Sequence, residues 1–176
     1  MYVRPIALAF ASALALNMPT YLAPRFTLET TGAVQLIAGG HDARYGVIAD
    51  EGSSVLTVSL GATGTGSALQ LRIPGAGLPA EGRYPIRSSW DKPSTAPAFH
   101  AFFAAGSSER PLGWFHGESG TVTITRTTEG RLSGSFEIRA RGFLTSDTSE
   151  QEHWVTVKGS FKAQGDSTAT TFAAAR

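Results

Sequence analysis

The stretch RLSGSFEIRAR, residues 131–141, decides the fold. Phe136 and Ile138 alternate with Glu137 and Arg139, so apolar and charged side chains follow one another with a period of two residues. Successive side chains of a β-strand point to opposite faces, whereas those of a helix repeat about every 3.6 residues. The stretch therefore predicts a strand that lays one face on a core and exposes the other face to water.

Two neighbouring stretches repeat this alternation. TVTITRT, residues 121–127, and HWVTVKGSFKA, residues 153–163, each place apolar side chains on one face and polar side chains on the other. Gly130 marks a tight turn between the first two strands, and the polar segment GFLTSDTSEQE, residues 142–152, is predicted to be a loop before the third. The last third of the chain is thus predicted to be an antiparallel meander.

A Gly-Ser-Phe sequence occurs twice in this meander, at residues 134–136 and at residues 159–161. In each copy the glycine stands two positions before a phenylalanine on the inward face. A glycine there leaves a gap that a large neighbouring side chain can fill, so we interpret the pair as a packing feature. The chain has no fixed period that would indicate a repeat architecture.

The middle of the chain contains further strand patterns. SVLTVSL, residues 54–60, and ALQLRIP, residues 68–74, both alternate, and the glycine-rich GATGTG between them predicts a hairpin. AFHAFFAA, residues 98–105, is a continuous apolar run with one histidine. It fits a central strand buried on both faces or, alternatively, a short buried helix. Pro85 lacks an amide hydrogen, which predicts an edge position for its segment.

Roughly eight to ten short strands separated by turns predict an all-β, single-domain antiparallel β-sandwich over residues 24–176. A closed or partly open β-barrel is the alternative, because the two architectures share the same strand patterns. RSSWDKPSTAP, residues 87–97, is the longest irregular stretch and is predicted to be a mobile or ligand-facing loop.

The segments EGRYPI, GTVTIT, GRLSGSFEIRA and VTVKGSF together resemble the C-terminal pattern of small exported bacterial β-proteins of uncharacterised function, many of which are lipoproteins. The resemblance covers roughly the C-terminal hundred residues. It implies an all-β fold and a location in the bacterial envelope, and it brings no catalytic residues with it. The present sequence departs from the lipoprotein members because it lacks the cysteine that carries the lipid.

The first 23 residues, MYVRPIALAFASALALNMPTYLA, have the layout of a secretory signal. Arg4 provides a positive charge, a moderately long apolar stretch follows from Ile6 to Met18, and no acidic residue is present. The stretch falls short of the roughly 20 apolar residues of a comfortable membrane span. We expect export to the periplasm or the extracellular space, with no transmembrane domain after signal removal. An uncleaved anchor and a first element of the domain are the alternatives.

Composition narrows the classes of function. The sequence contains no cysteine, which removes disulfides, thiolate metal sites and cysteine nucleophiles. The formal net charge of +1 gives no reason to expect nucleic acid or an anionic membrane as a partner. No cofactor is expected.

The densest group of chemically active side chains is GWFHGESG, residues 113–120. A nucleophile elbow needs Gly-x-Ser-x-Gly between a strand and a helix, and here Gly120 follows Ser119 immediately. His116 and Glu118 have the His-x-Glu spacing of zinc deaminases, which also require cysteine ligands. On an extended segment these two side chains point the same way. They are therefore either the centre of a metal-dependent hydrolase or polar residues at the start of a strand.

Aromatic residues form a second kind of candidate site. Trp90 lies in the predicted loop, Trp114 and Phe115 precede a predicted strand, and with His116 and Glu118 they are the candidate ligand-binding residues. Flat rings offer platforms to sugar rings or apolar ligands. The alternative is that the tryptophans cap the open ends of the core, in which case GWFHGESG is a loop that closes one end.

These observations predict a non-catalytic exported envelope protein that acts as a binding or structural and interaction module, with an unknown envelope protein as partner. Binding of a carbohydrate or a small apolar ligand through the loop aromatics is an alternative, as is metal-dependent hydrolysis. Arg139 and Arg141 share an outward face with Lys158 and Lys162 of the next strand. These charges either form a docking patch for an anionic polysaccharide or lipid head group, or keep a solvated sheet soluble.

Overall fold

The computed structural model describes residues 23–50, 53–61, 66–88, 91, 95–107, 109–128, 130–149 and 151–166. These residues form an all-β fold, as predicted, and contain no helix. The strands are β1 (Arg25–Gly32), β2 (Leu36–Gly40), β3 (Ala43–Asp50), β4 (Ser53–Leu60), β5 (Ala68–Pro74), β6 (Gly82–Pro85), β7 (His100–Gly106), β8 (Pro111–Thr128), β9 (Arg131–Leu144) and β10 (His153–Gly165). They belong to one sheet that is antiparallel except where β3 meets β10, and the arrangement is consistent with the predicted sandwich.

The meander β8–β9–β10 is confirmed together with its two faces. β9 pairs along its length with β8 on one side and with β10 on the other. Phe136 and Ile138 are buried, while Glu137 and Arg139 are exposed. The alternation that predicted the strand therefore also identifies which side chains reach the core and which are presented to solvent.

The predicted loop over residues 142–152 is wrong at its start. β9 continues through Leu144, and Gly142 pairs with β8 and β10 in the regular register. A Cβ at position 142 would collide with the backbone carbonyl of Trp114, so only glycine fits at this inward position. The lack of an apolar side chain there made the end of the strand resemble a loop.

The two Gly-Ser-Phe sequences pack against each other reciprocally. Gly159 is the register partner of Phe136, and Gly134 is the register partner of Phe161. Cζ of Phe136 lies 2.6 Å from the point that a Cβ at position 159 would occupy, and Cζ of Phe161 lies 3.0 Å from the corresponding point at position 134. The two rings stack with centroids 6.5 Å apart. The interpretation of these glycines as space for large neighbours is confirmed.

The hairpin pattern in the middle of the chain is also confirmed, because β4 and β5 pair as antiparallel neighbours. Residues 62–65 of their connection lie outside the described residues. Residues 100–105 of the apolar run at 98–105 belong to β7, but the strand is not buried on both faces: Phe103 and Ala105 are buried, whereas Phe102 and Ala104 are partly exposed. Only one face of β7 belongs to the core, because its other face is the outer surface of the sheet.

The sheet folds over one continuous apolar cluster. β10 pairs with β9 along one edge, and along the other edge first with β1 and then, through Gln164 and Gly165, with β3. β8 similarly pairs with β9 on one edge and with β7 and then β6 on the other. β6 ends at Pro85 and stands at the end of the strand order, which confirms its edge position.

Several predictions concern residues that the structure does not describe. They include residues 1–22 of the export segment and part of the irregular stretch 87–97. The described residues of that stretch form neither strand nor helix, and Asp91 accepts a hydrogen bond from the backbone amide of Ser88 at 3.2 Å. The described part of the chain contains no helix long and apolar enough to cross a membrane.

Candidate functional site

The segment GWFHGESG is part of the long strand β8 and not a loop. Phe115 is fully buried and stacks on Phe103 with ring centroids 6.1 Å apart, while Trp114 and His116 are exposed on the opposite face. The prediction of a loop that closes the core is therefore wrong. It failed because glycine, at position 117 for example, occupies inward positions and hides the alternation.

A β-bulge at Glu118 changes the direction of the side chains along β8. Gly117 and Ser119 pair with consecutive residues of β9, which leaves Glu118 as the extra residue. Outward positions are even-numbered before this bulge and odd-numbered from Ser119 to Thr125, and a second register shift between Ile124 and Arg126 makes them even-numbered again. The bulge keeps Glu118 away from the core and brings its Oε1 to 3.4 Å from Nη2 of Arg141.

The outward side chains of β8, β9 and β10 form a continuous surface, which we call the outer face. Its aromatic end consists of Trp114, Phe143 and Trp154, whose exposed fractions are 45%, 47% and 42%. Trp114 and Phe143 are register partners. Large exposed apolar side chains that gather on one surface are typical of interaction sites.

Ion pairs lie beside the aromatic end of the outer face, because Arg141 is the register partner of Trp154. Arg141 donates from Nη1 to Oε2 of Glu152 at 2.9 Å and from Nη2 to Oε1 of Glu118 at 3.4 Å. Its neighbour Arg139 lies over the ring of Trp154, with the guanidinium carbon 4.2 Å from the ring centroid. Among the described residues Arg139 has no carboxylate partner. One arginine is thus held by two acids, and the other is held by an aromatic ring and keeps its charge available.

Next to Arg139 the outer face contains a cavity of about 490 Å³, which we call the arginine groove. Arg83 of β6 and Arg139 both line it, together with Glu137, whose Oε1 pairs with Nζ of Lys158 at 3.0 Å. The remaining polar lining is rich in hydroxyl groups: Ser119, Thr121, Thr123, Ser135 and Thr156. The groove therefore combines two guanidinium groups with many small hydrogen-bonding groups.

A second cavity, of about 550 Å³, lies further along the same strands, and we call it the basic groove. Its charged lining consists of Arg126, Arg131 and Lys162, and its lining includes no carboxylate. Hydroxyl groups of Thr125, Thr128 and Ser133 line it as well. Both grooves thus have the same chemistry, cations among hydroxyl groups.

The structure brings three of the five sequence-predicted site residues together on the outer face: Trp114, His116 and Glu118. Phe115 lies in the core, so its ring is not available to a ligand on the surface. Trp90 lies outside the described residues.

Sequence reasoning missed other parts of the same surface. The serines, threonines and acids that follow Phe143 predict a polar loop there, whereas Phe143 lies on β9. The outward position of Trp154 follows from the alternation, but its contact with Arg139 depends on the register between β9 and β10. The only signal of this contact in the sequence is the presence of a tryptophan and an arginine at outward positions of consecutive strands.

The geometry does not support a metal-dependent hydrolase at His116 and Glu118. The two side chains do lie on the same face, but the carboxylate of Glu118 is engaged by Arg141, and the His116 ring meets the edge of Phe102 with centroids 5.2 Å apart. Among the residues that the structure describes, no three histidine, aspartate or glutamate side chains are grouped closely enough to hold a metal ion.

One carboxyl group in the turn after β9 has a clearly shifted pKa. Asp147 accepts hydrogen bonds from the hydroxyl and the backbone amide of Ser149, and its Oδ2 lies 2.7 Å from Nε2 of His153. The hydrogen bond from the Ser149 hydroxyl, followed by the one from the His153 ring, lowers the pKa of Asp147 to about 2. These contacts hold the turn against the start of β10, immediately before Trp154.

Comparisons with protein-family models, with curated proteins and with solved structures found no match to this chain. The outer face is therefore the basis on which we assign a function.

Proposed function

We propose that the protein is an exported carbohydrate-binding module of the bacterial envelope, which acts by binding and not by catalysis. The aromatic end of the outer face is its binding surface. The observation that carries the proposal is the exposure of Trp114, Phe143 and Trp154 on one rigid face of the sheet. The flat faces of sugar rings carry C–H groups, which pack on the electron-rich faces of aromatic rings.

The polar groups around the aromatic end favour a sugar over a purely apolar ligand. A small apolar ligand is usually enclosed by apolar walls, with few polar groups. Here the ion pairs of Arg141 with Glu118 and Glu152 interrupt the apolar surface between the two tryptophans. Guanidinium and carboxylate groups donate and accept hydrogen bonds in fixed directions, which suits the hydroxyl groups of a sugar.

The same ion pairs argue against a protein partner at this surface. The buried centre of a protein–protein interface is depleted in charged residues other than arginine. Glu118 and Glu152 lie among the aromatic residues of the outer face and would have to be buried in such an interface. A carbohydrate leaves them hydrated or hydrogen-bonded, so its binding carries no such desolvation cost.

Support for export comes from residues 1–23, with their single basic residue and apolar stretch. The test is to produce the protein from its own start codon in a bacterium, separate the cell compartments and measure the intact mass. We expect a chain shortened at its N-terminus in the periplasm or the medium. A full-length chain confined to the cytoplasm would contradict the proposed location.

The binding proposal is tested by titrating the protein with a panel of bacterial envelope polysaccharides and following tryptophan fluorescence. We expect at least one polysaccharide to change the emission, and Trp114→Ala and Trp154→Ala each to weaken its binding about tenfold or more, equivalent to about 1.4 kcal/mol. Ile48→Ala is the matched control, because Ile48 is 44% exposed, like the tryptophans, but lies on β3, which pairs with β4 and with the end of β10 and not with β8 or β9. A flat response across the panel would contradict the proposal.

A further inference from the structure

The outer face and its two grooves carry more basic than acidic residues, although the chain as a whole is nearly neutral. The formal net charge of the whole protein is only +1. On this surface the basic residues outnumber the acidic ones. The basic residues are Arg83, Arg126, Arg131, Arg139, Arg141, Lys158 and Lys162, and the acidic residues are Glu118, Glu137 and Glu152. Charge of one sign is therefore concentrated on the surface that also presents the aromatic end.

Each of these acids already has a cation as its partner. Glu118 and Glu152 pair with Arg141, and Glu137 pairs with Lys158. The cations that line the two grooves differ in this respect. In the part of the chain that the structure describes, no carboxylate pairs with the following groove residues: Arg83, Arg126, Arg139 and Lys162. Their charges are available to an external anion.

The three parts of the surface lie along one line, parallel to the strands. Trp154 stands opposite Arg141, Thr156 opposite Arg139 in the arginine groove, and Lys162 opposite Ser133 in the basic groove. From Trp154 to Lys162 β10 advances eight residues, or about 26 Å at the usual rise of a strand. The length suits an extended chain of several sugars better than a single one.

We infer that the ligand is an acidic polysaccharide, whose sugar residues bear carboxylates. It lies along β8–β10, with a sugar ring on the aromatic end and carboxylates in the arginine and basic grooves. The inference rests on the proposed function and adds the class of carbohydrate. A guanidinium group binds a carboxylate through two parallel hydrogen bonds, and the serine and threonine hydroxyl groups complete the binding of the sugar oxygens.

The acids on the same surface favour a polysaccharide over a nucleic acid. Glu118, Glu137 and Glu152 keep lone pairs beyond those that bind Arg141 and Lys158, and these lone pairs can accept hydrogen bonds from a ligand beside them. The hydroxyl groups of a sugar supply hydrogen-bond donors between the carboxylates, whereas a DNA backbone presents phosphate oxygens that only accept. A phosphodiester chain would therefore place its charges against carboxylates without compensation.

The experiment compares uronate-containing polysaccharides with their carboxyl-reduced forms, in which each carboxylate has become an alcohol while the rest of the chain is unchanged. Binding to the full chain is measured by calorimetry at low and at high salt. The variants are Arg83→Gln with Arg139→Gln in the arginine groove, and Arg126→Gln with Lys162→Gln in the basic groove. Arg110→Gln is the control, because Arg110 is exposed in the turn before β8 and lines neither groove. Thermal unfolding checks that each variant is folded.

We expect the native polysaccharide to bind at least tenfold more tightly than its reduced form, and high salt to remove most of that difference. Each double variant lowers the affinity for the native form about tenfold or more and weakens binding of the reduced form much less, so the difference in affinity between the two forms shrinks. Equal binding of both forms would overturn the inference while the proposed function stands. Binding of single-stranded DNA with equal affinity would also overturn it. Absence of binding to either form would overturn the inference, and the proposed function would fail as well only if the whole polysaccharide panel gave a flat response.

Discussion

The guanidinium carbon of Arg139 lies 4.2 Å from the centroid of the Trp154 ring. This contact joins the aromatic end of the outer face to the arginine groove, because Trp154 belongs to the first and Arg139 lines the second. A cation above an exposed aromatic ring is stabilised by about 0.5–1 kcal/mol. The contact fixes both side chains on neighbouring strands without neutralising the arginine.

The first prediction concerns the energy of this contact. In a double-mutant cycle with Arg139→Ala and Trp154→Ala, we expect a coupling free energy of about 0.5–1 kcal/mol. Urea unfolding of the four proteins provides the measurement. The pair Arg44 and Trp154 is the control, because Arg44 lies on β3 and bonds to Asp42 instead. A coupling no larger than that of the control would show that the two groups meet without stabilising each other.

The second prediction concerns the reciprocal packing of Gly159 and Phe136. A methyl group at position 159 would meet Cζ of Phe136 at 2.6 Å as well as the backbone carbonyl of Thr27. The backbone contact cannot be relieved by a side-chain rotation, so we expect Gly159→Ala to lower the free energy of unfolding by about 3 kcal/mol or more. Gly77→Ala, where nothing lies within 4 Å, should change it by no more than about 1 kcal/mol. Similar effects for the two variants would refute the packing account.

The third prediction uses a contact made only by side chains. A Cβ at position 117 would lie 2.9 Å from Cβ of Ala101 and 3.0 Å from Cγ2 of Ile86. Gly117→Ala should therefore destabilise the protein by about 1–3 kcal/mol. Adding Ala101→Gly removes the closest contact. The double variant should therefore lose at least about 0.5 kcal/mol less stability than the sum of the losses caused by the two single substitutions. Strict additivity in chemical denaturation would contradict the contact.

The fourth prediction concerns acid. The pKa of Asp147 is lowered to about 2 in the folded protein, chiefly by the hydrogen bond from Ser149 and then by that from His153. The unfolded chain binds a proton at this position near its ordinary pKa of 3.8. The stabilisation is therefore fully present above that pKa and is lost as the pH falls towards 2.

Comparison of the wild type with Asp147→Asn isolates this contribution. We expect the wild type to be more stable above about pH 5 and the difference to shrink continuously down to about pH 2. Thermal unfolding across this range is the measurement, with Asp42→Asn, at the more exposed pair with Arg44, as the control. A stability difference that does not depend on pH would show that the charge of Asp147 does not stabilise the folded protein.

The strand faces of the meander could be predicted from the sequence because burial and alternation agree there. Phe136 and Glu137 have opposite character, and each lies on its predicted face. The first half of β8 could not be predicted, because glycine at position 117 contributes no apolar signal although it faces the core. The end of β9 was missed for the same reason at Gly142.

The candidate site could be predicted only in part, because its components lie on three strands. The alternation shows that Trp154 and Arg139 point outward, but their contact depends on the pairing of β9 with β10. The bulge at Glu118 changes the outward positions of β8 and cannot be recognised from residue types alone. Trp114 was identified from the sequence, whereas its partner Phe143 was not.

The central claim is that the outer face binds a carbohydrate, and the indole N–H signals of the three tryptophans test it most directly. Two-dimensional NMR spectra of the isotope-labelled protein are recorded with and without the polysaccharide that gives the largest fluorescence response. We predict that the signals of Trp114 and Trp154 both shift on binding. A shift of Trp90 alone, or no shift of any of the three, would contradict the account.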